Sequence, residues 1–280
     1  MTVGSERQVP PHAVLVVADD YGIAPGVGRA IRALIASGRL SGTGCMTLFA
    51  EWPAEASRLR ELSNLARAAV GLHLTLTDFQ PLCGRGPLGE PPLPSLSALV
   101  RSCWFGGIDL DALFAELDAQ LEAFVASMGR LPDYIDGHQH VHFLPPVRRW
   151  LQSRANRLLA SGTGPWLRGA PSVALAQGLR MRAKAGFVSS LAAGFDREMR
   201  RSGFTVKGPL AGFYDWRRPA DFPGLLRLLA NRGRDGMVVM CHPGELDDEL
   251  RQRDRLVAAR ALEFAELSKF GDWSPLLPAR

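Results

Sequence analysis

Lysine is scarce in this chain. Only Lys184, Lys207 and Lys269 are lysines among its 33 basic residues, and the arginines are spread along the chain among acids. The net charge of +5 and a pI near 9.4 therefore do not form a dense basic tract of the kind that grips nucleic acid. A solvated surface is the expected reading, with attraction to anionic lipid or nucleic acid as the lesser alternative. Cysteine is also sparse: Cys45, Cys83, Cys103 and Cys241 are scattered with no CxxC spacing, which argues against a disulfide framework. Long apolar runs are missing too. No stretch approaches the roughly 18 residues of a membrane span. The N-terminal segment lacks a basic region followed by an apolar core and a cleavage site, so no secretory signal is expected and the chain reads as cytoplasmic.

What is present is a regular alternation. "AVLVVADD", "TGCMTLF", "AVGLHLTL", "DYIDGH", "PWLRGA", either "FTV" or "AGFY", and "GMVVMCH" read as short buried strands. Helical stretches separate most of them. The clearest is "LDALFAELDAQLEAFVASMG", and "RDRLVAARALEFAELS" reads as a single closing helix. Residues 77–107, rich in Pro and Gly, read as a long loop over the strand ends, and 172–201 as one or two helices. Residues 1–12 read as an N-terminal arm and 13–280 as a single domain. Strand-then-helix order throughout predicts an α/β protein with parallel strands. About seven strands fit a closed or nearly closed (β/α) barrel, with a doubly wound open sheet as the runner-up.

In a barrel of this kind the reactive groups belong at the C-terminal ends of the strands. The polar residues fall there. Asp19 and Asp20 end the first strand, His73 lies late in the third, and Asp136, His138, His140 and His142 end the fourth. His242 ends the last, and only His12 lies elsewhere. Two adjacent carboxylates in a barrel mouth repel unless a cation or proton separates them, and a divalent metal would let one act as ligand and the other as base. The competing role is a cap on the following helix, which accounts for one aspartate but not the pair. Pro145-Pro146 soon follows the histidine cluster. His138 is therefore expected as a ligand, with His140 and His142 as supporting or substrate-contacting groups and Asp136 orienting a ligand imidazole. His73 reads as a ligand from its strand end, against the alternative of a core histidine. His242, at a sharp exit from a buried strand, suits a proton donor to a leaving group, against a purely structural hydrogen bond.

The segments "VVADDYGIAPGVGRAI", "GLHLTLTDFQPL", "DYIDGHQHVHFLP" and "VVMCHPG", in that order, resemble the YdjC-like carbohydrate deacetylases, a family that includes chitooligosaccharide and hopanoid-associated deacetylases. The resemblance spans about residues 13–270. It implies a seven-stranded barrel related to the polysaccharide deacetylases, a divalent metal (usually magnesium), and hydrolysis of an acetamido group on an N-acetylated sugar. It implies Asp20, His73 and His138 as metal ligands, Asp19 as general base and His242 as acid. Tyr21 stands where the family usually has phenylalanine. Arg168, after "PWL", is expected to reach the substrate, with a surface salt bridge as its alternative. A homodimer would suit the family. Two other readings remain open here: an amidohydrolase with zinc or two metals, and a non-catalytic sugar-binding barrel.

Overall fold

The structure, a computed structural model, describes residues 14–66, 68–160, 162 and 164–269. The expected N-terminal arm, including His12, and the chain beyond residue 269 lie outside the described residues. The first half runs β1 (Leu15–Tyr21), α1 (Pro25–Ala36), β2 (Gly42–Cys45), α2 (Trp52–Ala66), β3 (Ala69–Leu74), α3 (Leu96–Phe105), α4 (Leu110–Met128) and β4 (Tyr134–Gly137). The second half runs α5 (Pro145–Leu158), β5 (Trp166–Arg168), α6 (Leu179–Leu191), α7 (Phe195–Arg201), β6 (Val206–Lys207), β7 (Leu210–Ala211), α8 (Phe222–Arg232), β8 (Val238–Cys241), α9 (Asp248–Arg253) and α10 (Val257–Ser268). None of the helices among the described residues is long and apolar enough to cross a membrane.

All strand pairs are parallel, in the order β6-β5-β4-β3-β2-β1-β8-β7. The sheet curls back on itself between β5 and β7. Leu210 N donates to Ala170 O at 3.0 Å, and Ser172 N to Leu210 O at 3.1 Å, so the chain just past β5 touches β7. The result is a nearly closed barrel rather than an open doubly wound sheet. It has eight strands, not seven. Both candidates for the sixth strand are present, Val206–Lys207 beside β5 and Leu210–Ala211 beside β8. Gly208-Pro209 separates them, and proline has no N–H to carry a ladder through.

Two other expectations change. The segment 77–107 is not loop throughout: α3 forms within it, opened by Ser95, whose hydroxyl accepts from Ala98 N. The closing helix, α10, starts later than read, at Val257 rather than Arg253, and a separate short helix, α9, precedes it. Asp254 between them is extended, and its carboxylate is taken up by Arg260.

Period two along the strands sorts the barrel interior into layers. The lowest layer is apolar: Val17, Tyr134, Trp166 and Val238 pack together, with Tyr134 and Trp166 stacked at 4.4 Å. Gly71 leaves room there, because a Cβ would overlap the Tyr134 ring. Two residues further along the same strands come Asp19, His73, Asp136 and Arg168, all buried. A polar floor thus lies directly above an apolar plug. The helices complete the core outside, as α1 shows by burying Val27, Ala30, Ile31, Leu34 and Ile35 at helical spacing.

Candidate metal centre and active site

The polar layer is a chain of ion pairs. Arg168, fully buried, grips Asp19 with two prongs, Nη1 to Oδ2 at 2.7 Å and Nη2 to Oδ1 at 2.5 Å. Its Nη2 also pairs with Asp136 Oδ2. Asp136 Oδ1 lies 2.6 Å from His73 Nδ1, which turns His73 Nε2 toward Asp20. Burial alone would raise the Asp19 carboxyl, but the Arg168 guanidinium outweighs it and holds the group at about 2. Burial likewise opposes a charge on His73, yet Asp136 and Asp19 lift it to about 10.

Asp20 joins this layer through an unusual backbone. On a regular strand Asp19 and Asp20 would face opposite sides. Here the β1 register shifts between Ala18 and Tyr21, and Asp20 takes φ +68°, a left-handed conformation seldom adopted by non-glycine residues. Both carboxylates then face the barrel mouth. Asp20 Oδ1 sits 2.9 Å from His138 Nδ1 and 3.3 Å from His73 Nε2. Its other oxygen, Oδ2, accepts from Arg260 Nη2 at 2.6 Å. Burial would raise Asp20, but Arg260 and His138 hold it well below the usual carboxylate range.

Asp20, His73 and His138 bring one donor atom each within 4.8 Å of one another. This set fits a divalent cation. The donors are one carboxylate oxygen and two imidazole nitrogens, and the His73 ring is already oriented by a carboxylate at its far nitrogen. Asp19, His73 and Asp136 form a second compact group, but the Arg168 guanidinium sits on both of its carboxylates. Among the described residues this leaves one open donor set rather than two.

His138 follows β4 directly. Gln139 and His140 then take φ +51° and +64°, which turns the chain away sharply before Pro145 opens α5. His140 lines the cleft, its ring 5.5 Å from Phe213. His142 does not: its Nε2 lies 3.2 Å from Arg168 O and its ring packs on Phe143. Burial holds both imidazoles well below their ordinary pKa, hence neutral. Arg168 does not line the cleft either; it lies in a buried ion pair with Asp19 rather than at the surface. His242, at the end of β8, faces Asp19 with Nε2 4.0 Å from Oδ2, and burial lowers it to about 4.

Above this floor opens a cleft of about 1020 Å³. Phe79, Leu96, Phe187 and Trp216 give it an apolar wall, and Lys184 and Arg251 add positive charge. Two residues near the floor had no counterpart in the sequence reading: Arg260 on Asp20, and Glu263, which accepts from the backbone N of His242. Both are buried on α10 one turn apart, on the face that also buries Ala259 and Leu267. Charged residues on the apolar face of a helix were the available signal.

Residues 13–270 match the family described as YdjC-like protein. The chain belongs to the YdjC-like family. Chitooligosaccharide deacetylases of Yersinia pestis (strain Pestoides F) and Yersinia pseudotuberculosis (serotype O:1b, strain IP 31758) are each 27% identical to this YdjC-like protein over 248 residues. Each alignment covers 85% of this chain and 83% of the relative. A crystal structure of an Enterococcus faecalis protein, described as a candidate cellobiose-phosphate cleavage protein, superposes with a TM-score of 0.66 at 21% identity. That match covers 95% of this chain and 94% of the other, and it is a likeness of fold.

Proposed function

We propose that this YdjC-like protein is a metal-dependent hydrolase that removes the acetyl group from an N-acetylated amino sugar. The observation that carries this reading is the convergence of the Asp20–His73–His138 donors with Asp19 and His242 at the floor of one cleft. The activity named for the Yersinia relatives supports it. Asp20 Oδ1, His73 Nε2 and His138 Nδ1 would hold the cation. The family resemblance implies magnesium, and two imidazole donors also suit zinc or another divalent ion. Bound there, the ion would lower the pKa of a water and polarise the acetyl carbonyl.

The chain's own groups do the rest. Arg260 engages Asp20 Oδ2, so Oδ1 is the oxygen left to face the two histidines. Arg168 keeps Asp19 ionised and fixed, ready to take a proton from the attacking water. Burial keeps His242 neutral near pH 7, so it gains a proton only as negative charge develops beside it. Asp19 takes the proton from water. The 4.0 Å gap to His242 Nε2 is too long for direct transfer, so the reacting oxygen between them relays it to His242, which passes it to the departing nitrogen. Acetate and a free amine are the products. His140, on the cleft wall, would serve as a contact to the sugar.

Acetate release from a panel of N-acetylated saccharides, with and without chelator, tests the proposal. Release that the chelator abolishes supports it. No release by metal-loaded protein, or release that ignores the chelator, overturns it.

A further inference from the structure

A histidine that handles protons is ordinarily oriented by a carboxylate or carbonyl at its second ring nitrogen. His242 has no such partner: among the described residues no group hydrogen-bonds its imidazole, and the Asp19 oxygen at 4.0 Å is out of range. Something else must fix the ring.

Glu263 is placed to do so. It lies on α10, fully buried, with each carboxylate oxygen committed. Oε2 accepts the backbone N–H of His242. Oε1 accepts the hydroxyl of Tyr214 at 2.5 Å. Tyr214 is two residues before Trp216, whose indole meets the His242 ring edge-on at 5.0 Å and 72°. One carboxylate therefore ties the main chain of His242 to the segment that supplies the ring's packing neighbour.

We propose that Glu263 is a positioning residue for His242, fixing the imidazole through its backbone and through the Tyr214–Trp216 segment rather than through a ring nitrogen. This rests on His242 handling the proton in the reaction proposed above. A structural carboxylate would be expected to cost stability when buried this way, since both of its partners are neutral donors. Burial does raise its pKa to about 7. The bonding pattern also predicts which substitute works. A glutamine can accept the His242 N–H with its oxygen and donate its amide to the Tyr214 oxygen, whereas alanine can do neither.

The test compares Glu263→Gln, Glu263→Ala, His242→Asn and the double variant His242→Asn/Glu263→Ala, each checked for folding and metal content. Glu263→Ala should lower kcat about 10- to 100-fold with KM little changed, less than the ~10²–10⁴-fold contribution of a general acid. Glu263→Gln should restore kcat to within about threefold of the parent. In the His242→Asn background the alanine change should cost nothing further, as expected for residues acting as a unit. Equal losses in both backgrounds, or unchanged kcat in Glu263→Ala, would overturn the proposal. If the parent protein releases no acetate, the functional reading fails, and the His242 ring ¹H–¹⁵N resonances decide the positioning claim. They should shift and broaden in Glu263→Ala but not in Glu263→Gln; unchanged resonances in both would sink it.

Discussion

Arg168 and Asp19 are joined by two parallel hydrogen bonds inside the barrel, 149 residues apart in the chain and both shielded from solvent. The same guanidinium also reaches Asp136. Arginine suits this position because its planar fork matches a carboxylate edge, which a lysine ammonium does not. Replacing it with Arg168→Met leaves two carboxylates buried without their partner. The expected loss is about 3–5 kcal/mol in unfolding free energy, from the cost of breaking a buried pair. Urea unfolding monitored by circular dichroism measures it, and a loss below about 1 kcal/mol would show that Arg168 is not holding the floor together.

Asp19 and Asp20 are neighbours in sequence with separate tasks in the proposed reaction. Asp19→Asn should leave the Asp20, His73 and His138 donors in place and keep the metal. It should cost activity by roughly 10²–10⁴-fold, the range of a lost acid–base group. Elemental analysis beside acetate kinetics reads both quantities. Undiminished turnover in a variant of normal metal content would remove Asp19 from the role of base.

The Glu263 carboxyl, raised from an ordinary 4.5 to about 7 by burial, gives stability a pH dependence of known sign. Between those values the folded chain holds a proton that the unfolded chain has released. Stability from this group is therefore complete below about pH 4.5, falls as pH rises toward 7, and is flat above. The shift corresponds to about 3 kcal/mol across that window as an upper figure. Glu263→Gln should flatten this part of the profile relative to the parent. Identical slopes for the two proteins between pH 4.5 and 7 would contradict the assignment.

Much of the floor was legible because it depends on period two along strands. Asp19, His73 and Asp136 occupy inward positions set by the same alternation that buries Val17, Gly71 and Tyr134 below them. The use of Asp20 was readable as a pair with Asp19, although the left-handed turn that brings it inward was not. Arg168 was visible as a strand residue, but its burial follows from Asp19 and Asp136 arriving from other strands. Arg260 and Glu263 were the hardest to see. Their partners Asp20 and His242 lie 240 and 21 residues away, and only the break at Asp254 sets the start of α10. The eighth strand was obscured because the segments on either side of Gly208-Pro209 read as alternatives for a single strand.

The account turns on Asp20, His73 and His138 sharing one cation. The most direct measurement is the metal content per chain of the parent, His73→Ala and His138→Ala proteins after loading with a divalent ion and desalting. One ion per parent chain, lost from both folded variants, is the expected result. A parent that retains no ion, or variants that retain it fully, would contradict the central claim.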